Sequence, residues 1–110
     1  MLFVKKLPDF TEKTFVAELS GKKSQTLRSF YGQVAKALHF PDYFGKNLDA
    51  LDECLADLSW IEQKEVALTV REAALFLKKE NPAKREAVLD IFKNLSDEPG
   101  EKPLRVFFLE

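Results

Sequence analysis

Two spacings of apolar residues take turns along this chain, and together they predict an α/β fold. Thr14-Phe15-Val16-Ala17-Glu18-Leu19 combines β-branched and aromatic residues ahead of Gly21, and reads as a strand. Leu27, Phe30, Tyr31, Val34 and Leu38 then fall at i, i+3, i+4, i+7 and i+11. That is one face of an amphipathic helix, with Ser24 available as its cap and an end near His39. Leu48, Leu51, Leu55 and Leu58 make a second helical stripe. Val66-Ala67-Leu68-Thr69-Val70 is short and almost uninterruptedly apolar, as suits a central parallel strand buried on both faces. Arg71 to Lys79 has helical composition, with Ala73, Ala74, Phe76 and Leu77. Asn81-Pro82 ends that segment and starts another helix, Asn81 as cap and Pro82 at the first helical position. Its stripe is Val88, Ile91, Phe92 and Leu95. Pro99-Gly100 turns the chain into a last strand, Leu104–Leu109.

The order strand, helix, helix, strand, helix, helix, strand predicts three parallel strands joined by right-handed helical crossovers, with about four helices packed on the sheet. Ahead of this unit, Leu2-Phe3-Val4 has strand character, while Pro8, Asp9, Thr11 and Glu12 read as a connection. Residues 1–13 are therefore expected to add an edge strand or packed arm to a domain spanning 14–110.

The second helical stripe has an unusual reverse side. Pro41 fixes its own φ and drives Phe40 out of the helical region, so the first helix should stop before it. Gly45 suits a sharp or left-handed turn beside Tyr43 and Phe44, and Asn47 suits an N-cap. Beyond it Asp49, Glu53 and Asp57 recur at i, i+4 and i+8, with small Ala56 between them and Asp52 on the flank. No Lys or Arg lies between Asn47 and Leu58, so like charges face each other, at a cost of roughly 0.2–0.5 kcal/mol per pair. Two readings fit this face: a solvated surface, with Asp49 serving the helix dipole, or a surface kept acidic for a partner.

Composition narrows the classes of function. The 110 residues include 17 Lys+Arg and 18 Asp+Glu for a net charge of −1, without the basic excess of a nucleic-acid binder. One cysteine, Cys54, excludes an internal disulfide and a cysteine-rich metal site, and one histidine, His39, leaves little for a His-based metal site or a Ser–His–Asp arrangement. Cys54 borders the apolar stripe and reads as a small hydrophobe. A regular helix face presents too few oxygens for calcium, and carboxylates outside a cleft lack the shifted pKa of acid–base catalysis. The glycines are too scattered for a phosphate loop. Neither a leader peptide nor a membrane span is legible. A cytoplasmic, cofactor-free protein that is not an enzyme is expected, monomeric when free.

Tyr43-Phe44-Gly45-Lys46-Asn47-Leu48-Asp49-Ala50-Leu51, followed by Glu53-Cys54-Leu55, resembles the signature of the barstar family, protein inhibitors of small bacterial ribonucleases. The resemblance extends from about Thr14 to the C-terminus. It implies the three-layer-like barstar fold and a partner that is a basic ribonuclease, barnase-like or another nuclease toxin. It also implies that Asp49 and Glu53 face the enzyme's catalytic pocket and that Tyr43, Phe44 and Gly45 belong to a contacting loop. Asn47, Asp52, Ala56 and Asp57 complete the expected surface. Three positions depart from the family's best-known member: Glu53 stands for Asp, Asp52 for Trp, and Asn94 for a third contacting acid. The alternative is a non-inhibitory module that binds another basic protein through the same face.

Overall fold

A computed structural model describes residues Met1–Glu110. Its elements are β1 (Leu2–Val4), β2 (Thr14–Ser20), α1 (Leu27–Ala37), α2 (Leu48–Asp57), β3 (Glu65–Arg71), α3 (Pro82–Asp97) and β4 (Leu104–Leu109). The sheet has four strands rather than three, in the order β1-β4-β3-β2, every pair parallel. β1 is the added strand, matched Leu2 to Phe107 and Val4 to Leu109 on the outer side of β4.

Register explains the layering. Ala17 lies beside Leu68 and Leu68 beside Val106; Leu19 lies beside Val70 and Val70 beside Phe108. With side chains alternating, these residues share one face. All of them belong to the main core, with Phe30, Val34 and Leu38 around α1, Leu51, Leu55 and Leu58 of the α2 stripe, and Val88, Phe92 and Leu95 of α3. The helices therefore form one layer on one face, and the three-layer-like expectation is corrected. Right-handed crossovers dictate this: β2 to β3 to β4 steps across the sheet in a single direction, so both helical connections fall on the same side.

The step from β1 to β2 runs the opposite way, and the same rule sends residues 5–13 over the other face. Phe10 of this arm meets the ring of Phe107 edge-on, 5.7 Å between centroids, and the Arg105 guanidinium lies 5.7 Å from both rings. Phe107, Ala67 and Thr69 are buried on this side, outside the main core. Two ion pairs, Arg71–Glu18 at 2.7 Å and Arg105–Glu65 at 3.2 Å, brace this face too.

The helical layer departs from the expected elements in two places. The segment after β3 contributes only a 3-10 turn, Ala73–Leu75, so there are three α-helices and not four. Two of its amides are taken by the loop ahead of α1: Leu77 N–H donates to the Ser24 carbonyl (2.8 Å) and Lys79 N–H to the Gln25 carbonyl (3.0 Å). Glu72 and Leu77 both sit at left-handed φ and bend the segment into that path. Helical composition thus lost to tertiary hydrogen bonds that carry Phe76 and Leu77 into the core.

Thr26, not Ser24, caps α1. Its Oγ1 accepts from Ser29 N–H while the Thr26 N–H donates to Ser29 Oγ, both at 3.2 Å. Ser24 is buried and its carbonyl is held by Leu77. The helix ends at Ala37. His39 takes φ 54° and Phe40 N–H reaches back to the Ala35 carbonyl at 2.8 Å, which closes the end as a Schellman motif. Asn81 caps α3 as expected, its Oδ1 accepting from Ala83 N–H at 2.8 Å. No helix is long and apolar enough to cross a membrane.

Candidate functional site

The loop that enters α2 is fixed by its aromatic residues. Phe40 is buried, 4.9 Å from Phe44 and 6.0 Å from Trp60, whose indole N–H donates to the Leu38 carbonyl at 2.8 Å. Phe44 N–H closes a turn onto the Pro41 carbonyl at 3.0 Å, and its ring leans on Tyr31 at 5.9 Å. With Phe40 and Phe44 turned inward, Tyr43 is left projecting, 78% exposed.

Gly45 does not adopt the left-handed turn; its neighbour Lys46 does, at φ 51°. What Gly45 supplies is space. A Cβ there would lie 3.2 Å from Asn47 Nδ2 and 3.7 Å from Ala50 Cβ. Its absence lets the Asn47 side chain fold back to cap α2, with Oδ1 accepting from Ala50 N–H at 2.8 Å.

From that cap, α2 turns Leu51, Cys54, Leu55 and Leu58 inward, all buried, with Leu48 half-buried at the margin. Asp49, Asp52 and Glu53 are exposed on the outer face, and none of their carboxylates takes part in a hydrogen bond or ion pair. The last turn is different. Asp57 is half-buried and its Oδ1 accepts from Ser59 N–H at 3.2 Å. Ala56 is half-buried because the loop before β4 closes on it. Glu101 N–H donates to the Ala56 carbonyl at 2.9 Å, and Gly100 approaches so closely that a Cβ would sit 2.2 Å from the same oxygen. The acidic face is thus open at its first two turns and edged by this loop at its third. Burial raises the Cys54 thiol pKa, and Asp57 and Glu53 raise it further, so the thiol stays neutral and a weak nucleophile.

A cleft of 710 Å³ opens beside the first turns of α2. Asp49, Ala50 and Glu53 form one wall, Leu27 and Tyr31 of the α1 side another, and Lys46 and Lys84 stand at its borders. The α1 wall is anchored by Glu80, whose carboxylate accepts from Leu27 N–H at 2.8 Å and Asn81 N–H at 3.2 Å. Those two bonds, with a smaller effect of Lys84, hold the Glu80 pKa below the usual glutamate value. Burial, then Glu80, pushes the Tyr31 phenol up, so it remains neutral. Lys46 stood inside the sequence motif without a role, and Lys84, 38 positions further on, carried no signal at all; only packing brings the two to one cleft. Asn94 is exposed on α3. No three His, Cys, Asp or Glu side chains are grouped closely enough to hold a metal ion.

The molecule is a small parallel α/β protein whose acidic helix, free of ion pairs over its first two turns, lies beside an exposed tyrosine and a shallow cleft. The chain belongs to the barstar family: the family model described as Barstar (barnase inhibitor) matches residues 14–109. No curated protein matches the chain.

Proposed function

We propose that this protein inhibits a small basic ribonuclease by covering its active site with α2 and the loop that leads into it. The supporting observation is the set of free carboxylates on the open turns of α2, Asp49, Asp52 and Glu53, in a member of a family described as inhibiting barnase. A ribonuclease site must hold a phosphodiester and therefore concentrates cationic and hydrogen-bond-donating groups. Carboxylates on a rigid helix occupy the places of phosphates, and a bidentate Arg–carboxylate pair slows release. Tyr43 adds a rigid aromatic contact at low entropic cost, with Phe44 and Gly45 holding its loop. Asn47 fixes the start of α2, and Ala56 and Asp57 form the rim of the same surface. Because the acids are unpaired before binding, no internal ion pair has to break when the complex forms.

Titration of barnase-catalysed RNA cleavage tests this. Wild-type protein is expected to inhibit, and Asp49→Ala and Glu53→Ala should each weaken binding by about 2 kcal/mol or more, the scale of an interface hot spot. Shortening Glu53 to Asp should hold or tighten affinity for barnase; a tenfold loss, about 1.4 kcal/mol, would mean that the target's pocket is matched to the longer acid. The association rate should fall steeply with added salt while dissociation changes less. Binding without inhibition, or binding indifferent to both alanine substitutions, would refute active-site occlusion.

A further inference from the structure

We propose that Lys46 and Lys84 are specificity determinants of this surface, selecting a ribonuclease whose basic site is bordered by an acidic side chain; this rests on the ribonuclease-inhibitor reading above. Both lysines border the cleft whose other wall carries Asp49 and Glu53, so a partner that covers those acids also covers the lysines. Both are exposed, and neither takes part in an ion pair; the two ion pairs of the protein lie on the opposite face of the sheet. Glu80, whose ionisation Lys84 influences, has its carboxylate engaged by the Leu27 and Asn81 amides.

The fold itself disfavours a cation at either place. Lys46 immediately precedes the cap of α2, and Lys84 is the third residue of α3, so each stands at the positive end of a helix dipole. Lys46 additionally holds a left-handed φ of 51°. Lys84 has one favourable charge neighbour, Glu80, which two backbone amides already hold, and Lys46 has no ion-pair partner; a complementary anion across the interface would pair both. An all-basic partner would press its cations against two ammonium groups while they lose water, which is unfavourable unless each is paired. A carboxylate beside the partner's basic cluster removes that penalty, so the cleft accepts mixed charge and discriminates against uniformly basic sites.

The probe is barnase, used in inhibition titrations and stopped-flow binding at fixed ionic strength with wild type, Lys46→Glu, Lys84→Glu and the double reversal. Thermal melts check that the variants fold; an acid at either helix start gains from the helix dipole and loses by repulsion from Glu80 at position 84 or from Asp49 and Glu53 at position 46, so only a small shift of the melt is expected. If wild type inhibits, each reversal is expected to raise Kd at least about tenfold. If wild type does not inhibit but the double reversal does, the lysines are again the selecting residues, here rejecting a site that lacks the acid. Inhibition by wild type that the reversals tighten or leave unchanged overturns the role of the lysines and leaves the inhibitor reading intact. Absence of binding by every variant overturns the inhibitor reading for this nuclease, and the lysine assignment with it.

Discussion

The two faces of the sheet are closed by different means. On one, three amphipathic helices bury a continuous core of aliphatic and phenylalanine side chains with no ion pair among them. On the other, an arm of nine residues without regular structure crosses from β1 to β2, and the surface is held by Phe10 on Phe107, by Arg105 over both rings and by two exposed ion pairs. Exposed ion pairs contribute little, about 0–1 kcal/mol each, so the helical face carries most of the stability. It also carries the candidate site, on the side of α2 turned away from the core. The buried stripe holds α2 against the core, and the carboxylates of Asp49, Asp52 and Glu53 stand unpaired on its outer side. The edge strand β1 precedes the span matched by the family model and leaves Leu2 and Phe3 more than half exposed, with Phe3 stacked on Phe108 at the margin of the helical face.

The largest test of this contrast is Leu51→Ala. Leu51 is wholly buried under α2, and its truncation should cost about 2–5 kcal/mol in denaturant unfolding. A loss under ~0.5 kcal/mol would mean that α2 does not pack as described. Phe10→Ala, on the opposite face and only half-buried, should cost less than Leu51→Ala, losing about 0.5–1.5 kcal/mol for the aromatic pair together with the partial burial of the ring, and should leave ribonuclease inhibition unchanged. Equal losses from Leu51→Ala and Phe10→Ala would erase the distinction between the faces. Glu53→Ala should shift unfolding by no more than ~0.5 kcal/mol while changing binding strongly, since the side chain is exposed and makes no hydrogen bond or ion pair in the free protein.

The smallest expected effect is at Glu80, which ties the start of α1 to the segment before α3. Its folded pKa is depressed, so its contribution is fully present above the ordinary value of 4.5 and is lost as pH falls through the lower folded value. Unfolding of Glu80→Gln followed downward from about pH 6 should show a shallower acid-side loss of stability than wild type. An unchanged slope would show that the two amide bonds do not hold the carboxylate in solution.

Local rules sufficed wherever a neighbour within one turn decides the conformation. The stripes of α1, α2 and α3, the Asn47 and Asn81 caps, and the strand at Val66–Val70 all follow from periodicity and from side-chain hydrogen bonds across two or three positions. The acidic residues of α2 were legible for the same reason, because spacing on a helix fixes which side chains share a face. Tertiary structure decided what spacing cannot reach. Segment 71–79 has the residues of a helix, yet its Leu77 and Lys79 amides bond to Ser24 and Gln25, some fifty positions away. Thr26 and not Ser24 occupies the cap position, because the helix begins at Leu27 and the Ser24 backbone is tied to Leu77. Gly45 supplied room and Lys46 took the left-handed turn, since the position of Asn47 mattered more than the freedom of glycine. The closing of Ala56 by Gly100 and Glu101, and the meeting of Lys46 with Lys84 at one cleft, join residues with no periodic relation. Helix stripes and caps are set by short-range sterics and hydrogen bonds, whereas the boundary and charge balance of the site are set by which distant segments the core brings together.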